Sequence, residues 1–175
     1  MEMEEEIWDG YDENGELLGV DLIRGKAIPD GVFHIVASVL VKHTNGDYLI
    51  MQRDMNKTWS GFYEATAGGA VLKGETPEEG AIREVKEETG LSIKNPILLK
   101  RTINHKRRLI IYQYLATTTS FQTSVKLQPG ETMAYKWLNE ADFRTFCTSN
   151  DCIPGQGEAI MAFLFKQQSL GGKPS

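Results

Sequence analysis

The segment at residues 68–91 constrains this chain more than any other part, because a glycine-rich loop runs directly into a strongly capped helix. Thr76 is an N-cap residue, a proline stands at the first helical position, and Glu79 follows three residues after the cap. This arrangement is a complete capping box. Gly90 stands where a left-handed C-terminal glycine belongs. The segment therefore predicts a helix over residues 77–89.

Three glutamates share one face of that helix, since Glu84, Glu87 and Glu88 fall at positions i, i+3 and i+4. Their like charges cost stability, a cost that a bound cation would remove. Carboxylate oxygens with water are the ligands that Mg²⁺ prefers, and the ion is normally bound together with substrate phosphates. Ile82 and Val85 are expected to be buried on the opposite side. The alternative interpretation is that this acidic face is simply exposed to solvent and forms ion pairs with neighbouring basic side chains.

The whole segment resembles the Nudix box, Gly-x5-Glu-x7-Arg-Glu-apolar-x-Glu-Glu-x-Gly-apolar. Every fixed position is matched, by Gly69, Glu75, Arg83, Glu84, Val85, Glu87, Glu88, Gly90 and Leu91. A chance match should be rare, on the order of one in a million from rough residue frequencies. The resemblance implies an α/β fold, a Nudix-type α/β/α sandwich with a mixed β-sheet. In that fold the box at residues 68–91 is a loop–helix–loop on one side of the sheet.

The resemblance also implies a metal site on the helix. Its metal ligands would be Glu84, Glu87 and Glu88. The cofactor would be Mg²⁺, with Mn²⁺ as a substitute, and a carboxylate would take a proton from a bound water. The catalytic residues would be Glu84, Glu87 and Glu131. Glu131 lies six residues before Trp137 on a loop, where many family members place a further acidic residue. A solvated loop glutamate is the alternative for Glu131.

Other positions would bind the substrate or support the box. The backbone of Gly68 and Gly69 would lie close to the metal and the diphosphate. Glu75 and Arg83 would brace the loop against the helix. Arg53 ends a predicted strand and resembles the phosphate-contacting arginine of the family. An ordinary surface charge at a strand end is its alternative interpretation.

The reaction implied is Mg²⁺-dependent hydrolysis of a phosphoanhydride bond in a nucleoside diphosphate linked to another moiety, or in a related organic diphosphate. A non-catalytic Nudix module that senses a nucleotide is an alternative. Such modules commonly lose box carboxylates, whereas this chain has them all. Adding EDTA and then Mg²⁺ would separate the two.

A looser pattern resembles the isopentenyl diphosphate isomerase-like branch of the superfamily: Trp8-Asp9, Gly31-x-x-His34, Gln52-Arg53 and Lys57-x-Trp59-x-Gly61. The rival function is isomerisation of a prenyl diphosphate by protonation. That isomerase uses a cysteine just ahead of the box, and this chain has no cysteine before Cys147. The hypothesis that the chain is an isomerase is therefore disfavoured. His34 begins an apolar strand and is expected to be a hydrogen-bonded structural residue.

The composition bears on partners and location. The formal net charge of −5 over 175 residues argues against duplex nucleic acid as the main partner. No apolar run approaches the length of a transmembrane helix, so no membrane partner is expected. The two cysteines, Cys147 and Cys152, are predicted to be buried or idle thiols in a reducing cytoplasm. The expected partner is a small-molecule diphosphate. The sequence leaves open whether the chain forms a homodimer.

The rest of the chain predicts a mixed sheet flanked by helices within a single domain at residues 1–175. An N-terminal hairpin is expected at residues 7–24, and residues 169–175 read as a flexible tail. Strands are predicted at residues 32–41, 48–53, 109–116 and 132–138, and further helices at residues 139–146 and 157–168.

Overall fold

The computed structural model describes residues 4–165, which form helices on both faces of a mixed β-sheet. In chain order the elements are β1 (Ile7–Tyr11), β2 (Leu17–Ile23), β3 (His34–His43), β4 (Tyr48–Arg53), β5 (Tyr63–Glu64), β6 (Thr66–Ala70), α1 (Pro77–Thr89), β7 (Ile93–Asn104), β8 (Leu109–Thr118), a 3₁₀ turn (Gln122–Ser124), β9 (Thr132–Leu138), α2 (Glu140–Cys147) and α3 (Gln156–Leu164). The predicted tail at residues 169–175 lies outside the described residues, as does the end of the helix predicted at 157–168.

Strand β3 lies at the centre of the sheet, with β8 parallel on one side and β6 antiparallel on the other. Strand β7 extends the sheet beyond β8. Strand β4 joins β3 through the pair Lys42–Tyr48 and also pairs with β5 and β9. Ile35 and Val39 of β3 pack in the apolar cluster that includes α1, whereas Leu40 packs with α2 and α3. This is the α/β/α sandwich with a mixed sheet that the sequence predicts.

Helix α1 begins and ends where its caps predict. The Thr76 side chain accepts a hydrogen bond from the backbone N–H of Glu79 at 3.1 Å, and the Glu79 carboxylate accepts one from the backbone N–H of Thr76 at 2.9 Å. Gly90 closes the helix with a φ of 73°. The C-terminal glycine is required there because an L side chain rarely adopts this φ.

The expected burial of α1 is correct for Val85 and wrong for Ile82, which is 41% exposed. Ala81, Val85 and Thr89 are buried against the sheet. Successive residues turn by about 100° around a helix, which places Ile82 and Glu88 at opposite edges of that face. The acidic face therefore borders the buried face on the side of Glu88, where a charged group is partly buried.

The other predicted elements are present with small shifts at their ends. The strands predicted at residues 48–53 and 132–138 have those bounds, while β3 begins and ends two residues later than expected and β8 continues to Thr118. Helix α2 begins after Asn139, whose side chain caps it by accepting from the N–H of Asp142. Strands β5, β6 and β7 were not predicted. No helix among residues 4–165 is both long and apolar enough to cross a bilayer.

The N-terminal hairpin is formed by β1 and β2, which pair antiparallel from Ile7 with Ile23 onward. It turns at Gly15, whose φ of 85° is one that glycine adopts readily. The hairpin packs beside the box loop, because Trp8 and Leu22 form a small apolar cluster with Leu72 and other neighbours. This contact places the hairpin next to the glycine-rich loop and α1.

Candidate active site

A cavity of about 550 Å³, here called the box cavity, opens where the glycine-rich loop, α1 and the N-terminal hairpin meet. Its lining includes Gly68, Gly69, Glu84, Glu87, Glu88 and Glu131. An adjoining cavity of about 210 Å³ shares part of that lining and adds Arg53. The predicted metal, catalytic and substrate-binding residues are thus brought to one place, although they span residues 53–131 of the chain.

The two box glycines allow α1 to approach strand β6 closely. The backbone N–H of Gly68 donates to the Glu88 carboxylate at 3.1 Å. A Cβ atom on Gly69 would lie 2.6 Å from the carboxyl carbon of Glu84, and one on Gly68 would lie 2.0 Å from the carbonyl oxygen of Ala37. Any side chain at either position would therefore move a carboxylate of the site or break the β3–β6 contact.

Arg83 connects the box loop to the helix. Its guanidinium donates to both Glu75 oxygens, at 2.7 and 3.0 Å, and to the carbonyl oxygen of Ala70 at 2.9 Å. It also contacts the carboxylates of Glu84 at 2.8 Å and Glu87 at 3.2 Å. Glu75 in turn accepts from a backbone N–H of the loop at 2.9 Å. This is the geometry of a brace between loop and helix.

The carboxyl groups of the site are crowded and partly removed from water. Burial raises the pKa of Glu88 to about 8, and the neighbouring carboxylates of Glu64, Glu84 and Glu131 add to this shift. Burial also raises the pKa of Glu84, in spite of its contact with Arg83. Groups that are buried, acidic and close together are unfavourable as bare anions, and a divalent cation would relieve that cost.

A hard metal ion fits the chemistry of this donor set. Within residues 4–165, no three acidic, histidine or cysteine side chains are grouped closely enough to hold a metal. Glu84 and Glu87 contact Arg83, and Glu88 accepts from Gly68. The available atoms are nevertheless carboxylate oxygens that line one cavity, and these are the ligands of Mg²⁺ and Mn²⁺.

Glu131 has a partner that the sequence reasoning did not assign to the site. Its carboxylate forms an ion pair with the ammonium group of Lys57, and both side chains line both cavities. A backbone hydrogen bond of 3.0 Å from the N–H of Asp54 to the carbonyl oxygen of Glu131 joins the same two loops. Lys57 appeared in the isomerase-like sequence pattern, which was the one available signal for it.

Arg53 lies in the wall of the smaller cavity, with its side chain 18% exposed. It pairs with Glu64 at 3.0 Å and donates to the carbonyl oxygen of Thr58 at 2.7 Å. Burial raises the pKa of Glu64, while Arg53 lowers it. Glu64 was missed because no local motif marks it, and its proximity to Glu88 depends on strand pairing.

The sequence predicts structural roles for His34 and for the two cysteines, and the structure differs from the prediction only at His34. His34 is buried and stacks on Trp8, with ring centroids 4.2 Å apart. The expected hydrogen bond is absent at its Nδ1, which has no partner within the described residues. Cys147 and Cys152 are free and buried, as predicted. Burial raises the pKa of Cys147 to about 12, which makes the thiol unreactive near neutral pH.

Comparisons with known proteins bear on the family and the fold of the chain. The family model of the NUDIX domain matches residues 32–153. An uncharacterised Nudix hydrolase of Listeria monocytogenes is 41% identical over 150 residues, which cover 85% of this chain and 89% of that protein. An isopentenyl-diphosphate delta-isomerase of Corynebacterium diphtheriae is 35% identical over 82 residues, 46% of this chain and 45% of that enzyme. A crystal structure from Deinococcus radiodurans superposes with a TM-score of 0.66 at 19% identity, covering 90% of this chain and 99% of that one.

Proposed function

The chain belongs to the NUDIX domain family of hydrolases, and on that premise we propose that it cleaves a phosphoanhydride bond in a nucleoside diphosphate linked to another moiety. The proposed cofactor is Mg²⁺, with Mn²⁺ as a substitute. The observation that carries the proposal is the convergence of Glu84, Glu87, Glu88 and Glu131 on one cavity floored by the two box glycines. We place the activity in a reducing cytoplasm, consistent with two free thiols.

The helix carboxylates would hold the metal, through the oxygens of Glu84, Glu87 and Glu88. A divalent metal, when bound, neutralises the diphosphate, polarises the phosphorus and lowers the pKa of a bound water. The close approach at Gly68 and Gly69 would let the diphosphate lie against the backbone. No side chain there stands between the substrate and the carboxylates.

Lys57 and Arg53 would supply positive charge to the phosphates from the lining of the adjoining cavity. Lys57 can exchange its partner Glu131 for a phosphate oxygen. The exchange would leave Glu131 as an unpaired carboxylate able to accept the proton of the attacking water. Substrate binding and preparation of the base would then be the same event.

Isomerase chemistry is disfavoured by the position of the thiols. That chemistry needs a cysteine just ahead of the box, where this chain has Thr66-Ala67-Gly68-Gly69. Cys147 and Cys152 belong instead to the apolar cluster around α2 and α3. No cysteine is among the residues that line the box cavity. A purely nucleotide-sensing role is disfavoured because every box carboxylate is present.

The test is a substrate panel assayed with the purified protein. Nucleoside triphosphates, nucleoside diphosphate sugars, dinucleotides and prenyl diphosphates are incubated with Mg²⁺, and released phosphate and diphosphate are measured. We expect hydrolysis of at least one nucleotide that stops with EDTA and returns with Mg²⁺ or Mn²⁺. Tight nucleotide binding with no hydrolysis would favour the sensor, and conversion of isopentenyl diphosphate to its isomer would overturn the proposal.

A further inference from the structure

One wall of the box cavity is built by residues that precede the segment matched by the family model. Glu6, Trp8 and Arg24 lie before residue 32, yet they line the same cavity as Glu84 and Glu88. The hairpin that carries them is thus an addition to the matched core. Because the hairpin lies beside the residues proposed to bind the diphosphate, it is a candidate for binding the moiety that is attached to the diphosphate.

This wall, here called the hairpin wall, consists of Glu6, Trp8 and Arg24 and is ordered by the Glu6 carboxylate. One of its oxygens accepts from Trp8 Nε1 at 2.7 Å, and the other accepts from Arg24 Nη1 at 2.9 Å. Both carboxylate oxygens therefore have a partner, and both partners are oriented. Arg24 retains further N–H donors on its guanidinium, since that group has five. Its side chain is 70% exposed, so these donors can reach a ligand at the cavity mouth.

His34 continues this wall into the protein. Its ring lies parallel to the indole of Trp8, 4.2 Å between centroids and 11° between planes, and it is only 8% exposed. Nδ1 is buried with no hydrogen-bond partner within residues 4–165, and other atoms of His34 line the cavity. An unpaired buried nitrogen is costly, so a ligand gains affinity when its binding turns the ring and pairs with Nδ1. Burial and the charge of Arg107 lower the pKa of His34, which keeps it neutral.

A neutral imidazole has one N–H donor and one acceptor nitrogen. A hydroxyl group can meet either nitrogen because it both donates and accepts. A hydrocarbon chain in the same position would cover His34 and Arg24 without pairing with them, which is unfavourable. Sites that present buried polar groups reject ligands lacking the complementary group more strongly than apolar sites reject extra polar atoms. The wall therefore favours a hydroxylated moiety over a prenyl chain.

We propose that Arg24 and His34, held in place by Glu6 and Trp8, bind the moiety attached to the diphosphate, and that this moiety is a hydroxylated polar group of the sugar type. The proposal rests on the proposed function for the chemistry of the diphosphate half. It adds the specificity-determining residues for the other half.

The test measures binding of two metabolically inert ligands in the presence of Mg²⁺ by titration calorimetry. One is the α,β-methylene analogue of a nucleoside diphosphate sugar, and the other is the α,β-methylene analogue of the same nucleoside diphosphate, which has no attached sugar. The variants are Arg24→Gln and His34→Phe. The matched control is Lys26→Gln, because Lys26 is a nearby exposed cation that pairs with Glu5 and does not line the cavity.

We expect Arg24→Gln and His34→Phe each to weaken the sugar analogue by roughly tenfold, the size of one lost hydrogen bond to a charged or buried group. The affinity for the nucleoside diphosphate analogue should stay within twofold, and Lys26→Gln should change the affinity for neither ligand. The melting temperature of His34→Phe without ligand should equal or exceed that of the unaltered protein, since an unpaired nitrogen has been removed. A purely structural histidine would give a lower melting temperature and equal losses for both ligands.

Three outcomes would overturn the proposal: equal weakening of both ligands, unchanged affinity in both variants, or no preference of the unaltered protein for the sugar analogue. Arg24→Gln decides the matter by itself if His34→Phe does not fold. Hydrolysis of the natural sugar nucleotide is measured in parallel. A protein that prefers the sugar analogue but hydrolyses nothing would overturn the proposed function and leave the hairpin wall supported.

Discussion

Two cavities of nearly equal volume lie in different parts of this molecule, and their chemistry differs sharply. The box cavity measures about 550 Å³, and a second, here called the α2–α3 cavity, measures about 580 Å³. The box cavity is lined by five glutamates and three basic side chains. Glu158 is the one acidic residue in the lining of the α2–α3 cavity, which has no lysine or arginine. The box cavity therefore differs from the α2–α3 cavity in its closely spaced, partly buried charges and not in its volume.

Both regions contain a glycine that is packed too closely for a side chain. The two glycines differ in the group that a side chain would contact. At Gly69 the group in the way would be the carboxylate of Glu84, at 2.6 Å. At Gly157 it would be the backbone carbonyl oxygen of Cys147, at 1.8 Å. The first glycine lets a reactive group approach the loop. The second lets two helices pack, so the same residue type has a different function in the two regions.

The largest expected effect follows from removing one charge of the box cavity. Glu88→Gln or Glu87→Gln should lower kcat by about 1000-fold, the scale of losing one preorganised group that stabilises developing charge. The melting temperature should not fall, because the crowding of like charges is relieved. Cys147→Ala, in the lining of the α2–α3 cavity, serves as the comparison and should leave kcat within twofold. Near-normal turnover in both glutamine variants would contradict the assignment of Glu87 and Glu88 as metal ligands.

The glycines provide the next largest effect. Gly69→Ala should lower kcat/KM by about 100-fold, because displacement of a catalytic group by about 1 Å has an effect of this size. Its stability should change little, since the contacted atoms end a movable side chain. Gly157→Ala should instead destabilise the protein by roughly 1–3 kcal/mol through overpacking, with normal kcat for the folded fraction. Urea unfolding and steady-state kinetics on both variants check the contrast.

The two regions should also differ in how stability depends on pH. Glu88 in the folded chain holds its proton up to a pKa of about 8, whereas the unfolded chain releases it near 4.5. The folded state then binds more protons, so stability in EDTA should fall as pH rises from about 5 to 8. Added Mg²⁺ or Glu88→Gln should flatten this slope. A melting temperature in EDTA that rises across the same interval would contradict the assignment.

The thiols of the α2–α3 region give the smallest effect. The pKa of Cys147 is raised from 9.0 to about 12, so its contribution to stability should decline only above about pH 9. In native protein at pH 8, Cys147 should not react with iodoacetamide over an hour, and it should react readily in urea. Mass spectrometry measures the modification. Rapid native labelling with loss of activity would place a reactive thiol in the mechanism.

The helices could be predicted well from the sequence because their signals are local. The Thr76 capping box and Gly90 set the ends of α1 to the residue, since a cap acts over three or four positions. Strand β7 was missed because two register shifts, near Lys94 and Leu98, break its alternation. Strand β6, with the sequence Thr-Ala-Gly-Gly-Ala, has little strand propensity and is held by its pairing with β3.

The sequence by itself determined the box: which carboxylates share a helix face, which glycines precede them, and the family to which they belong. The tertiary structure decided which residues join them. Lys57 meets Glu131 across 74 positions of sequence. Trp8 and Arg24 reach the cavity, beside His34 of β3, through packing of a separate hairpin. Helix periodicity and caps are read from neighbours in the chain. Strand pairing and hairpin packing depend on contacts distant in sequence, which leave no local pattern.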